Sequence, residues 1–327
     1  MLKGARVTGL ASAVPERVLT NYDLEKMVDT SDEWIFSRTG IRERRIVEPG
    51  QGASHLSVQS SRETLKRAGV APEELDLIMV ATVTPDSPLP ATSCLVQSEL
   101  KAKNAAAFDL VAGCSGFVYA LSAGSQFVKG GAYRKVLVVG VDILSSLTNW
   151  KDRTTCVLFG DGAGSCILEP GEPGEGVLAV SLGADGECSK FLYIEAGGSK
   201  LPPSRDTVSR GQHYIQMAGN EVFKHAVREM ESSLVKALKE CGLGMGDLDF
   251  LIPHQANVRI IDALRRRAGL KEEQVVVNID RFGNTSSGSI PIAMEEACRD
   301  GRLKKGDIVG LTAFGAGLTW GTAILRW

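Results

Sequence analysis

The stretch "LKRAGVAPEELDLIMVATV", beginning at Leu65, is echoed by "LKECGLGMGDLDFLIPHQA", beginning at Leu238, with Leu-Lys, Gly and Leu-Asp at the same spacings before an apolar run. Each copy reads as the end of an amphipathic helix, a glycine stop, an acidic turn and a buried strand. Taken alone, the match fits any helix-to-strand link in an α/β protein. Two further pairs follow in the same order. "AAAFDLVAGCSG" (105–116) and "VVVNIDRFGNTSSG" (275–288) are each a strand with an Asp, then a Gly and small residues before a helix, and "KVLVVGVDIL" pairs with "GDIVGLTAFGAGL" as late strands. The ordered echoes predict a duplicated α/β unit of two packed halves, residues 1–171 and 172–327. The seam falls in the connecting turn "LEPGEPGEG" (168–176).

With 327 residues, 43% hydrophobic and 23% charged, the chain is long enough to bury a large core. A formal charge of −2 argues against a general nucleic-acid binder and leaves any basic patch local. Seven cysteines without a C-x-x-C pair point to a reducing, cytoplasmic setting. Four scattered histidines give no metal-binding cluster. The N-terminal "MLKGARVTGLASAVPER" reads as a first strand and not as a signal peptide. No apolar run is long enough to span a membrane, since Asp142 interrupts the best one, "KVLVVGVDILSSL".

Cys114 stands where a strand gives way, through Gly113, to "SGFVYALSAGSQFVKGG", which reads as a wholly buried helix of about four turns. A thiol in the first turn of that helix would feel the positive end of the dipole, which favours the reactive thiolate. Cysteine is also a small apolar residue at home in a core, and the segment leaves both readings open. In "LIPHQANVRI", the strand breaks at Pro253 and sets His254, Gln255 and Asn257 at its C-terminal end, the edge where open α/β sheets build sites. Asn284 follows Gly283 at the position matching Gly113-Cys114, as an uncharged N–H donor or a turn residue. "FGDGAGS" (159–165) is followed by a strand-like segment, which excludes a Rossmann phosphate loop. The glycines of "AFGAGLTWGTAIL" suit either a tight hairpin or a loop whose amides face a substrate oxygen.

The ordered set "DTSDEWIFSRTGIRERR", "AGCSGFVYAL", "FGDGAG", "PHQANVRII", "DRFGNTS" and "FGAGLTWG" resembles the β-ketoacyl-acyl-carrier-protein synthase III family from end to end. The resemblance implies an α/β thiolase-like fold, five-layered α-β-α-β-α from two duplicated halves, and a homodimer. It implies the initiating condensing enzyme of type II fatty-acid synthesis, an acyltransferase with acyl-CoA and malonyl-acyl-carrier protein as substrates, no metal and no cofactor. Carried over, Cys114 is the nucleophile, His254 and Asn284 its partners, and the backbone N–H groups of Cys114 and Ala316 the oxyanion donors. The family's glycine triplet there reads Gly315-Ala316-Gly317 in this chain.

The resemblance sets Trp34 and Arg153 about the CoA adenine, Arg38 near its phosphates, and Gly219 and Asn257 along the pantetheine tunnel, with Phe314 beside the cysteine. Leu89 matches a residue that closes the partner's acyl pocket. Lys224, Arg259, Arg266 and Arg267 match a docking surface for the acidic carrier protein. Hydroxymethylglutaryl-CoA synthase, plant polyketide synthases and a secondary-metabolite homologue are the nearest alternatives. A cysteine hydrolase and a non-enzymatic carrier-binding module are the more distant ones.

Overall fold

The computed structural model describes residues 4–327; Met1–Lys3 of the expected first strand lie outside the described residues. Fifteen core elements make the frame. The first half runs β1 (Gly4–Ala13), α1 (Ala53–Ala68), β2 (Leu77–Ala81), α2 (Thr92–Leu100), β3 (Ala106–Leu110), α3 (Gly116–Lys129), β4 (Val136–Ile143) and β5 (Asp161–Gly171). The second runs β6 (Gly176–Ala184), α4 (Gly219–Glu240), β7 (Phe250–Pro253), α5 (Val258–Arg267), α6 (Ser289–Arg299), β8 (Ile308–Gly315) and β9 (Thr319–Arg326).

The strand order of the first half is β3-β2-β4-β5-β1, with β5 antiparallel to its neighbours. In the second half the order β7-β8-β9-β6 repeats that pattern, with β9 the antiparallel strand. The counterpart of β3 is a single parallel bridge from Val275 to Leu251, so the strand expected over "VVVNID" shrinks to one residue pair. Asn278 turns the chain immediately into the short helix Ile279–Phe282. The sheets touch through one parallel pairing, Ala5 with Gly176, beside the turn that holds the expected seam.

The sequence echo has a structural cause. Gly69 and Gly242 adopt φ of 66° and 74°, conformations that favour glycine. The next N–H groups, of Val70 and Leu243, return to the carbonyls of Leu65 and Leu238 at 3.0 and 2.9 Å. One 3-10 turn follows in each half, and then the Asp carboxylates tie the strand to its parallel neighbour. Asp76 accepts from the Lys135 N–H at 2.9 Å and Asp249 from the Ile308 N–H at 2.8 Å. Leu-Asp therefore recurs because each half needs the same staple at the same crossover.

Five layers result. Helices α1 and α2 cover the outer face of the first sheet and α4 that of the second, with α5 packed against α4. Helices α3 and α6 lie between the sheets and touch both. Their core includes Phe117, Val118, Leu121, Ile290 and Met294 with Val138, Leu168, Leu311 and Ala323 from the strands. Covered on both faces, β4 is buried at all eight positions, which is why it reads as an unbroken apolar run.

The segment "FGDGAGS" continues as β5. Its glycines serve close packing: a Cβ at Gly164 would lie 2.7 Å from Pro291 of α6, and one at Gly162 would lie 2.8 Å from Ile292. On β4, a Cβ at Gly140 would run into the Ser287 carbonyl. Gly140→Ala is expected to cost about 1–3 kcal/mol in chemical denaturation, the usual cost of overpacking. Gly186→Ala, with no neighbour within 4 Å of the added carbon, changes stability by less than about 0.5 kcal/mol.

Candidate active site

Strand β3 ends at Leu110, and the chain turns through Gly113–Ser115, one 3-10 turn, before α3 begins at Gly116. Gly113 has φ of 54°, and a Cβ there would stand 2.6 Å from the Ala316 nitrogen. From the other side, a Cβ at Gly315 would run into the Cys114 nitrogen. The cysteine turn of the first half and the β8–β9 loop of the second thus meet backbone to backbone. Side chains lock the joint: Thr319 Oγ1 donates to the Ala112 carbonyl at 2.8 Å, and Ser115 Oγ to the Thr319 carbonyl at 3.1 Å.

Cys114 is part-buried and opens onto a cavity of about 530 Å³. Burial pushes its thiol up to about 12, opposed by the Ser286 hydroxyl and reinforced by the Asp142 carboxylate. The expectation of a favoured thiolate at rest is corrected here. Desolvation outweighs the stabilising contacts because a full negative charge on sulfur has little water to face.

His254 follows β7 and is 2% exposed. Its backbone N–H donates to the Thr312 carbonyl at 2.8 Å, which extends the β7–β8 ladder by one residue and fixes the imidazole beside the cavity. Nδ1 lies 2.6 Å from Ser289 Oγ, an oxygen that also accepts from the Gln255 N–H at 3.4 Å. Where the Ser289 hydroxyl donates to Nδ1, the ring proton sits on Nε2, which is then a donor. Burial lowers the imidazole to about 3, so it is neutral near pH 7.

Asn284 follows Gly283, whose φ of 64° matches the Gly113 turn. Its backbone is pinned to the segment before β5, with Asn284 N–H donating to the Leu158 carbonyl at 2.9 Å and Gly160 N–H to the Asn284 carbonyl at 3.0 Å. The side-chain oxygen accepts from the Ser286 N–H at 2.8 Å. That bond orients the carboxamide and frees Nδ2 to donate toward the cavity.

Cys114, His254, Asn284, Phe314 and Ala316 line one cavity, together with Trp34, Arg38, Gly219, Asn257 and Arg259. Its lining passes from exposed Arg38 and Arg259 to buried His254 and Asn284. Ser31 caps the helix Asp32–Thr39 and so aims Trp34 at the mouth. The Arg38 guanidinium stacks on the Trp34 ring at 4.5 Å, with Arg153 farther off at 5.4 Å and bound to the Asp29 carbonyl. Asn257 caps α5 through the Arg259 N–H and donates to the Arg38 carbonyl at 3.1 Å. A Cβ on Gly219 would meet only Met217, at 3.9 Å, so the missing side chain leaves room in the channel.

Leu89, Lys224, Arg153, Arg266 and Arg267 are not part of this lining. Leu89 is 86% exposed. Lys224, Arg266 and Arg267 pair with Glu221, Asp262 and Glu231 at 2.7–2.8 Å. Ser286, Ser289 and the short strands Leu192–Ile194 and Ile215–Met217 complete the site's surroundings without having been singled out in the sequence. The small-residue run after Asn284 was visible, but its hydroxyl directions depend on the fold.

A cysteine turn from one half, met by neutral imidazole and carboxamide donors from the other inside a five-layered duplicated fold, defines the thiolase-fold class. Residues 108–186 match the family model described as 3-oxoacyl-[acyl-carrier-protein] synthase III, and residues 238–327 match the model of its C-terminal part. The chain is 56% identical to the β-ketoacyl-[acyl-carrier-protein] synthase III of Symbiobacterium thermophilum over 98% of this chain and 97% of the relative. It is 54% identical to that of Caldanaerobacter subterraneus subsp. tengcongensis over 99% and 98%. The crystal structure of 3-oxoacyl-[acyl-carrier-protein] synthase III from Aquifex aeolicus superposes with a TM-score of 0.92 at 46% identity, covering 99% of this chain and all of that one. The chain belongs to the β-ketoacyl-acyl-carrier-protein synthase III family.

The lowered His254 has a consequence for stability. An unfolded histidine takes up a proton near its ordinary 6.5, whereas the folded one does so only near 3. Its contribution is complete above about 6.5 and drains as pH falls toward 3. A His254→Gln variant is expected to show a shallower fall in thermal midpoint than the parent between about pH 6.5 and 4, measured by circular dichroism.

Proposed function

We propose that the protein catalyses the initiating condensation of type II fatty-acid synthesis, joining a short acyl-CoA primer to malonyl-acyl-carrier protein. The observation that carries the reading is the convergence of Cys114, His254 and Asn284, from both halves, on one cavity that reaches the surface beside Trp34 and Arg38. Cys114 sulfur attacks the primer thioester, the backbone amides of Cys114 and Ala316 hold the oxyanion, and CoA thiol leaves behind an acyl-enzyme. Malonyl-carrier protein then enters and loses CO₂. His254 Nε2–H and Asn284 Nδ2–H donate to the malonyl thioester oxygen, so that charge developing as an enolate meets two neutral donors. The enolate carbon attacks the acyl-Cys114 carbonyl, the C–S bond to the cysteine breaks, and the departing thiolate takes a proton from water to regenerate the thiol. The cycle needs no metal and no cofactor.

In this reading Trp34, Arg38 and Arg153 receive the nucleotide end of CoA, whose phosphates suit the two guanidiniums. Gly219 and Asn257 flank pantetheine, and Phe314 packs beside the cysteine. The acidic carrier protein docks on α5 and the start of α4, through Arg259, Arg266, Arg267 and Lys224. Among the described residues Arg259 is the one of these four without an ion pair and so has the most charge to offer. The protein acts as a cytoplasmic homodimer whose halves divide at residues 171 and 172. Seven free cysteines suit a reducing compartment. The open edge of β3, with Val111 75% and Leu89 86% exposed, suits a second copy that receives Leu89 at its acyl pocket.

Intact-protein mass spectrometry after mixing with acyl-CoA tests the reading. The parent is expected to gain one acyl group and Cys114→Ala none. His254→Ala and Asn284→Ala are expected to become acylated but to decarboxylate malonyl-carrier protein about 10²–10³-fold more slowly. Release of free acid without a malonyl donor would instead indicate a hydrolase.

A further inference from the structure

Ser287 lies buried in the 3-10 turn Ser286–Gly288 that leads into α6. Two glycines clear the space around it. A Cβ on Gly116, the first residue of α3, would stand 2.7 Å from Ser287 Oγ, and one on Gly140 of β4 would run into the Ser287 carbonyl. The hydroxyl seated in that space donates to the Gly113 carbonyl at 3.1 Å, from one half of the fold to the other. The same carbonyl accepts the Gly116 N–H that closes the cysteine turn.

Asp142, fully buried on β4, holds Ser287 in place. Its Oδ2 accepts the Ser287 N–H at 3.1 Å. Oδ1 accepts from the Val83 N–H at 2.7 Å and from the Thr82 and Thr84 hydroxyls at 3.1 Å. The Thr84 oxygen is itself engaged by the Ile143 N–H at 2.7 Å, which leaves its proton for the carboxylate. One side chain thus joins the segment after β2 and the body of β4 to the turn before α6. Neither Asp142 nor Ser287 lines the cavity, so any part they take in the chemistry runs through the residues they hold.

The Gly113 carbonyl and the Cys114 N–H are opposite ends of one planar trans peptide unit. We infer that Ser287 is a positioning residue for oxyanion stabilisation: its bond to the Gly113 carbonyl fixes the plane of that peptide and polarises it, which makes the Cys114 N–H a stronger donor. Asp142 is the anchor that sets Ser287. The inference rests on the reading in which the amides of Cys114 and Ala316 hold the oxyanion. Hydrogen bonds in series through a peptide strengthen one another, and in a buried site the gain is largest for the state with most charge on the acyl oxygen. Ser287 therefore acts on the rate of acyl transfer and not on ground-state binding. The donors assigned to the malonyl thioester have other supports, since His254 is held through Ser289 Oγ and Asn284 through the Ser286 N–H. Acyl transfer and decarboxylation are accordingly separable.

Ser287→Ala tests this, because it removes the hydroxyl and leaves the backbone bond to Asp142. Single-turnover acylation of Cys114 by acyl-CoA is expected to slow about 10-fold, the scale of one neutral hydrogen bond. Affinity for CoA and decarboxylation of malonyl-carrier protein are expected to match the parent. The infrared stretch of an isotope-labelled acyl carbonyl on Cys114 is expected to move to higher wavenumber, because a weaker donor draws less charge onto the oxygen. Should Ser287→Ala fail to fold, Ser287→Cys keeps a side chain there with a weaker donor and is expected to show the same split at smaller size. An acylation rate or a carbonyl stretch equal to the parent's in the folded variant overturns the inference. So does an equal loss in acylation and decarboxylation, which would mark Ser287 as structural only. If the parent takes no acyl group on Cys114, the proposed function fails first; if it does and the variant matches it, only the role of Ser287 fails.

Discussion

The site depends on the contact between the Gly113–Cys114 turn and the Gly315–Ala316 loop, which come from opposite halves and meet with no side chain between them. Neither backbone tolerates a Cβ at the joint, so the two glycines set the distance between the cysteine and the amides of the facing loop. Thr319 and Ser115 hold the register. The duplicated fold is what permits this approach. Gly113 and Gly283, with φ of 54° and 64°, turn the chain shortly before α3 and α6, the two helices packed between the sheets.

Around that joint the fold supplies neutral donors where the chemistry would need them. Ser289 holds Nδ1 of His254 at 2.6 Å and burial keeps the ring uncharged. Asn284 is oriented through its oxygen. A cationic histidine would bind a ground-state carboxylate as readily as an enolate, whereas neutral donors in a dry channel gain most as charge develops. The one buried carboxylate adjoining the cysteine, Asp142, is surrounded by hydrogen-bond donors and not by cations.

The duplication was legible because it is written in residues that shape the backbone, a helix-stopping glycine and an aspartate that staples two parallel strands. Cys114, His254 and Asn284 were legible for a related reason, since each stands directly after a Gly or Pro that breaks the regular pattern. Composition and pattern could not reveal the degree of burial, so a thiol expected to be activated by a helix end is instead held protonated by desolvation. Three valines in "VVVNID" have strong strand character, but the tight turn at Asn278 leaves only Val275 paired. Asp142 appeared in the sequence merely as an interruption of an apolar run. Its meaning comes from Thr82, Thr84 and Ser287, which only the fold assembles.

The backbone joint is tested most directly by the single-turnover acylation rate of Gly315→Ala, read on protein shown by circular dichroism to be folded. The added methyl collides with the Cys114 nitrogen and displaces the facing amides. The account predicts a loss of about 10²–10³-fold in acylation, the scale of a displaced oxyanion donor. A folded variant that acylates at the parent rate would show that the spacing of these two backbones does not govern the chemistry.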